Sequence, residues 1–227
     1  MSPPLRLIVF DVDGTLVDSQ GDIVAAMAHA FDRADHPLPD RAAILSVVGL
    51  SLDVAVARLA PGLPAARHAQ MVDWYKDAYV NLRARNGIAE SSPLYPYALD
   101  TLAALHAVPE NLLGVATGKS RRGLDKLLDG HGLRPFFVTA QVADHHPSKP
   151  HPAMLHAALS ATGVAARDAV MVGDTVYDME MARAAGVPFV GVSWGYHAPA
   201  ALSGAAAVLE DFRALPATVE RIRETTQ

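Results

Sequence analysis

The sequence predicts an α/β protein in which a parallel sheet is covered by helices on both faces and a smaller helical unit follows the first strand. Three observations lead there. Short apolar runs without polar alternation recur at residues 5–10, 112–116, 136–139, 169–172 and 189–192, which is how strands buried on both faces read. Amphipathic helical patterns separate most of these runs, as in an alternating βα chain. The one long gap, residues 19–89, carries helical pattern and no convincing strand.

Taken in order, residues 5–10 form the first strand, which meets acid at Asp11 and turns at Gly14. Its apolar core is too short for the apolar region of a signal peptide. Helical patterns follow at residues 23–31, with Asp22 as a candidate N-cap, and at 42–48, 52–59 and 67–85. Pro- and Gly-containing breaks at 36–40 and 61–64 divide them. The chain is expected to cross between the two units at residues 15–18 and 88–93. This places a small helical cap domain at residues 18–90 and a Rossmann-like sheet domain at 1–17 and 91–227. Within the sheet domain, helices are expected at residues 98–107, 123–132, 152–162, 179–185 and 216–224. The alanine cluster at 205–207 reads as a packed turn. There is no internal repeat and no low-complexity tract.

Composition narrows the function. The chain has 227 residues, 51% of them hydrophobic, which supplies a substantial core and argues against disorder. It has no cysteine, which excludes a disulfide framework and thiolate metal or redox sites and fits a reducing compartment. The net charge of −5, with no long run of either sign, is not the footprint of a nucleic-acid binder. No stretch is long and apolar enough to span a bilayer. A cytoplasmic protein, monomeric or homodimeric, is expected. Neither Gly-x-Gly-x-x-Gly nor the Walker phosphate loop occurs.

Four polar signals each follow a predicted strand, the place where open α/β sheets bind ligands. Asp11-Val12-Asp13-Gly14-Thr15 puts two carboxylates two residues apart at the mouth of a buried strand. In extended chain both emerge on one face, and their burial is costly unless they are used or paired. A carboxylate can attack phosphorus; a second can protonate the leaving group and then activate water. Gly14 permits close backbone approach to a phosphate. Thr117-Gly118-Lys119 offers a hydroxyl and free amides at a strand-to-helix turn, although Thr and Gly are ordinary there. Lys149, one of only four lysines, precedes Pro150 and could neutralise charge between a phosphate and an aspartate; alone it would read as a solvated lysine. Gly173-Asp174-Thr175-Val176-Tyr177-Asp178 puts one acid at a strand tip and another in the first turn of a helix. The helix dipole alone would explain Asp178, but the pair could also hold a hard cation such as Mg²⁺. Each signal has an innocent reading; four in this order along one sheet edge do not share one.

Together these residues resemble the haloacid dehalogenase superfamily, whose four motifs appear here as Asp11 to Thr15, Thr117, Lys149, and Gly173-Asp174 with Asp178. The resemblance covers nearly the whole chain, and the block after the first motif looks like the family's helical cap. It implies the following roles. Asp11 is the nucleophile and a Mg²⁺ ligand. Asp13 is general acid and base, with its main-chain carbonyl on the metal. Thr117 and the Gly118 amide bind the transferring phosphoryl group, and Gly14 and Thr15 shape the phosphate loop. Lys149 stabilises charge, Asp174 ligates the metal, and Asp178 binds it through water or orients its ligands. Dehalogenase members lack the second aspartate, so Asp13 implies phosphoryl transfer.

Within the superfamily the chain is most similar to the phosphoglycolate phosphatase branch, on residues 9–19, Gly49-Leu50-Ser51 and residues 191–196. The expected substrate is therefore a small phosphorylated metabolite, and the cap selects it. Gly49 to Ser51, Arg58 and Lys76 are candidates to meet a substrate carboxylate, although Arg58 and Lys76 read better as solvated. Arg121 or Arg122 could also reach substrate. His145 and His146 read as a surface loop, with His145 worth watching for an anion contact. Trp194 fits either the site rim or the core. Alternatives are another small ester (phosphosugar, FMN, pyrophosphate), a sugar-phosphate mutase, or phosphonate cleavage, which Lys76 is badly placed to serve. A binding protein without chemistry is disfavoured because every motif residue is present.

Overall fold

The computed structural model describes residues 4–226. Six strands, β1 (Arg6–Phe10), β2 (Asn111–Thr117), β3 (Phe137–Val142), β4 (Ala169–Gly173), β5 (Phe189–Val192) and β6 (Ala207–Leu209), form one sheet in the order β3-β2-β1-β4-β5-β6. Every neighbouring pair is parallel. β1 lies in the middle, with Phe10 opposite Val115 on one side and Val172 on the other.

The unalternated apolar runs acquire their reason here. Ile8 and Phe10 pack on one face with Leu113, Val115 and Val172, while Leu7 and Val9 pack on the other with Met171. Consecutive side chains point to opposite faces, and helices cover both. The first face holds α6 (Ala98–His106), α7 (Arg121–Gly130) and α10 (Leu215–Thr226) through Leu102, Leu124 and Val219. The second holds α8 (Ala153–Thr162) and α9 (Val176–Ala184) through Leu155 and Met181.

Between β1 and α6 the chain forms α1 (Gln20–Arg33), α2 (Arg41–Ser46), α3 (Leu52–Leu59), α4 (Ala65–Asn86) and the short α5 (Ile88–Ser91). Ile23, Met27, Ala30 and Phe31 recur at helical spacing on α1 and pack with Ile44, Val56 and Met71 in a core of their own. The two strands of chain that join this block to the sheet run side by side: the Asp18 amide donates to the Pro93 carbonyl (2.9 Å), and Val17 pairs antiparallel with Leu94.

Three expectations need correction. α1 begins at Gln20, so Asp22 lies in its first turn rather than at its cap. Ser19 occupies the cap position, but its side chain bonds no helix amide, because the hydroxyl donates to Asp13. Residues 88–93 are not a bare connection: α5 forms there, with Ile88 seated against Gly130 of α7. Residues 205–207 are not only a turn, since Ala207 opens β6 opposite Val190. A three-residue edge strand is held by pairing to its neighbour and carries too little pattern to announce itself. No helix among the described residues is long and apolar enough to cross a membrane.

Candidate active site

Asp11 follows directly on β1, and its amide donates to the Val172 carbonyl of β4 (2.9 Å), which holds it between the two central strands. Lys149, from the loop between β3 and α8, is fully enclosed there. Its Nζ donates to Asp11 Oδ1 and to Asp178 Oδ1, each at 2.7 Å. Burial alone would lower the Lys149 pKa, but the two carboxylates outweigh it and hold the ammonium above its usual range.

Asp174 and Asp178 arrive from the end of β4 and the start of α9. Asp174 Oδ1 accepts the Thr15 hydroxyl (3.0 Å) and its Oδ2 the Tyr196 amide (2.8 Å). Asp178 Oδ2 accepts the amide (3.1 Å) and hydroxyl (2.6 Å) of Thr175, while the Thr175 Oγ1 accepts the Asp178 amide (3.2 Å). This reciprocal cap fixes both the helix start and the carboxylate. Gly14, at φ +81°, lies so close to Asp174 that a Cβ there would strike the carboxylate.

The acids repel one another. Burial, followed by the charges of Asp178 and Asp13, pushes Asp11 up to about 7 against the opposing pull of Lys149. Burial and the charges of Asp11 and Asp178 likewise drive Asp174 well above the carboxylate range. Ligand atoms of Asp11, Asp174 and Asp178 all lie within 4.8 Å of one another. Asp11 Oδ2 is buried with no hydrogen-bond partner among the described residues. Three carboxylates, with Asp11 Oδ2 unpartnered, make an oxygen donor set that suits a hard divalent cation, and Mg²⁺ fits it.

Asp13 stands apart from this triad, facing a cavity. Its Oδ1 pairs with Lys119 Nζ (2.7 Å) and accepts the Ser19 hydroxyl. For Lys119, burial acts downward but attraction to Asp13 prevails, and its pKa is raised. Lys119 Nζ also donates to the Tyr79 hydroxyl of α4 (3.2 Å). Thr117 ends β2, and its Oγ1 accepts the Lys119 amide (3.2 Å). Gly118 sits directly on the carbonyls of Gly49 and Leu50, leaving no room for a Cβ.

The cavity, of about 490 Å³, opens between the strand ends and the helical block. Asp11, Asp13, Thr117, Gly118 and Lys119 line one side; Gly49 to Ser51, Tyr75, Tyr79 and Arg83 line the other. The block also touches the sheet unit through the Ser51 amide, which donates to Ser148 Oγ (2.8 Å).

The structure thus gathers Asp11, Lys149, Asp174 and Asp178 into one network, with Gly14 and Thr15 against Asp174, and lays Asp13, Thr117, Gly118 and Gly49 along the cavity. Lys76 and Arg122 reach the cavity from exposed positions. Arg58 does not line it; it donates to the Tyr177 hydroxyl (3.0 Å). The Arg121 amide donates to Asp144 (2.7 Å), and its guanidinium donates to the Ala140 carbonyl (2.5 Å). His145 and His146 do not line it either, and His146 bonds Gln141 (2.8 Å). Trp194 belongs to the core side, packed on Phe212 with its Nε1 donating to the Thr15 carbonyl (3.1 Å). Sequence reasoning did not find Ser19, Tyr79, Arg83 or Tyr196 as site residues. Ser19 and Tyr196 fell within the stretches that carried the family resemblance, and Ser19 is also close to Asp13 along the chain; Tyr79 and Arg83 carried no signal.

The haloacid dehalogenase-like hydrolase family model matches residues 8–192. A phosphoglycolate phosphatase of Rhodospirillum rubrum is 37% identical over 221 residues, 92% of this chain and 89% of the relative. A probable phosphatase, IndB, of Dickeya dadantii is 36% identical over 196 residues, 84% of this chain and 82% of the relative. Among solved structures, a predicted phosphoglycolate phosphatase from Haemophilus somnus superposes with a TM-score of 0.81 at 26% identity, covering 96% of this chain and 99% of that one. The fold, the four strand-end motifs and these relatives agree: the chain belongs to the haloacid dehalogenase-like hydrolase family.

Proposed function

We propose that this phosphatase is a Mg²⁺-dependent hydrolase of small phosphomonoesters, phosphoglycolate phosphatase-like, that works through an aspartyl-phosphate on Asp11. The observation that carries the reading is the joining of Asp11, Lys149, Asp174 and Asp178 in one buried network beside a cavity that holds Asp13 and Thr117. Asp11 Oδ attacks phosphorus, and the ester P–O bond breaks. Asp13 gives its proton to the departing alkoxide. Asp13 then takes a proton from water, which attacks the aspartyl-phosphate, releases inorganic phosphate and restores the Asp11 carboxylate. Thr117 and the Gly118 amide receive the phosphoryl oxygens, and Lys149 offsets charge at Asp11. Asp11, Asp174, the Asp13 carbonyl and Asp178 would hold Mg²⁺, which supplies charge neutralisation and orientation of the phosphoryl group.

In this reading residues 18–90 act as a cap on a sheet domain of residues 1–17 and 91–227, shielding the ester from bulk water. The test is kcat/KM with Mg²⁺ over a panel holding 2-phosphoglycolate, phosphosugars, FMN and pyrophosphate, with Asp11→Asn alongside. Turnover by the wild type and none by Asp11→Asn is expected. Persistent activity in Asp11→Asn overturns the mechanism; a leading ester other than 2-phosphoglycolate overturns only the substrate.

A further inference from the structure

The cavity wall contributed by the helical block holds one deeply buried cation. Arg83, near the end of α4, is 8% exposed, against the exposed positions of Lys76, Arg122 and Lys126 around the same cavity. Its Nη2 donates to Ser92 Oγ (2.9 Å), its guanidinium lies 4.7 Å from the Tyr79 ring centroid, and its Nε is buried without a partner. Among the described residues it forms no ion pair. Asp22, the buried acid of the same helical block, is not within ion-pair distance and also keeps an unpartnered oxygen. A buried guanidinium without an acid is expensive, and the expense is recovered when an anion enters.

Position says which anion. Arg83 and Lys119 both lie against the Tyr79 ring, at 4.7 and 5.2 Å from its centroid, and Lys119 holds Asp13. An ester whose phosphoryl group meets Asp11 would therefore point its alcohol half past Asp13 toward α4. We propose that Arg83 is the specificity residue that receives a second anionic group, a carboxylate or a phosphate, on the alcohol half of the substrate. This rests on the phosphatase reading above and narrows it to esters whose alcohol half carries a second anionic group. A guanidinium presents paired donors to either oxyanion.

The experiment compares wild type and Arg83→Gln on primary alkyl phosphates of three kinds. 2-Phosphoglycolate and 3-phosphoglycerate carry a carboxylate, fructose 1,6-bisphosphate a second phosphate, and glycerol phosphate and ribose 5-phosphate neither. The wild type is expected to favour one anionic set over the neutral one. Arg83→Gln should lose roughly ten- to a hundredfold in kcat/KM on that set, mainly through KM, with neutral esters within about twofold. The favoured set separates carboxylate from phosphate. Equal loss on all esters, or no anionic preference in the wild type, overturns the proposal. Binding gives a readout without turnover: in an Asp11→Asn background with Mg²⁺, the favoured ester should raise Tm more than a neutral one, and adding Arg83→Gln should erase that difference. A difference that survives Arg83→Gln also overturns it. Failure of the phosphatase reading shows separately, as turnover in Asp11→Asn alone or no turnover in the wild type.

Discussion

Lys149 shows what one side chain does at this site. It is enclosed, and it holds two carboxylates, Asp11 and Asp178, at 2.7 Å each. Breaking a buried pair by removing one partner leaves uncompensated charge, at about 3–5 kcal/mol. Lys149→Met should therefore lower the urea-unfolding free energy of the metal-free protein by about that much, and should nearly abolish turnover. A variant as stable as wild type would show that the acids discharge themselves by taking up protons. As a linear feature, Lys149 reads as an ordinary lysine before a proline; only its place in an ordered series of four signals distinguished it. Arg83 had no such series. It is one of the basic residues of a long helix, and nothing in its neighbours along the chain shows that it is buried beside a cavity.

Among the elements, the turn after β2 joins the two units. Gly118 rests on the carbonyls of Gly49 and Leu50, and Ser51 bonds Ser148. A methyl group at residue 118 would push the 49–51 turn away while leaving both cores intact. Gly118→Ala is expected to lower kcat/KM about tenfold or more, as small misplacements at reacting groups do, while Tm moves by only a few degrees. A stability loss that matches the activity loss would mean the contact is part of the fold rather than of the site. The element pattern was largely legible, because β1, β2, β4 and β5 are buried on both faces and show it as apolar runs, while β3, a partly exposed edge strand interrupted by Thr139 and Gln141, shows it less cleanly. β6 and α5 were not, since both are short and are held by neighbours: β6 by pairing with β5, α5 by Ile88 against α7.

For the molecule as a whole, the central question is what balances the acids at the strand ends. Asp11 comes from β1, Asp174 from β4 and Asp178 from α9, so a cation among them would tie three elements together. Anything that binds only the folded state stabilises it by mass action, by about 2.7 kcal/mol at a hundredfold excess over Kd. Mg²⁺ is therefore expected to raise Tm and EDTA to reverse the gain, with Asp174→Asn removing most of the response. A wild-type Tm insensitive to Mg²⁺ would count against a metal in this triad. The linear sequence by itself determined the parallel sheet, the helical insertion after its first strand and the motif residues at the strand ends. Burial on both faces writes itself as apolar runs, and three of the four motifs follow or end their strands directly, while Lys149 lies in the loop after β3. The tertiary structure alone decided that Lys119 pairs with Asp13, that Tyr196 and Ser19 support the acids, and that Arg83 is buried at the cavity without an acid. Those relations join residues far apart in the chain or on separate elements, and local pattern carries no record of such packing.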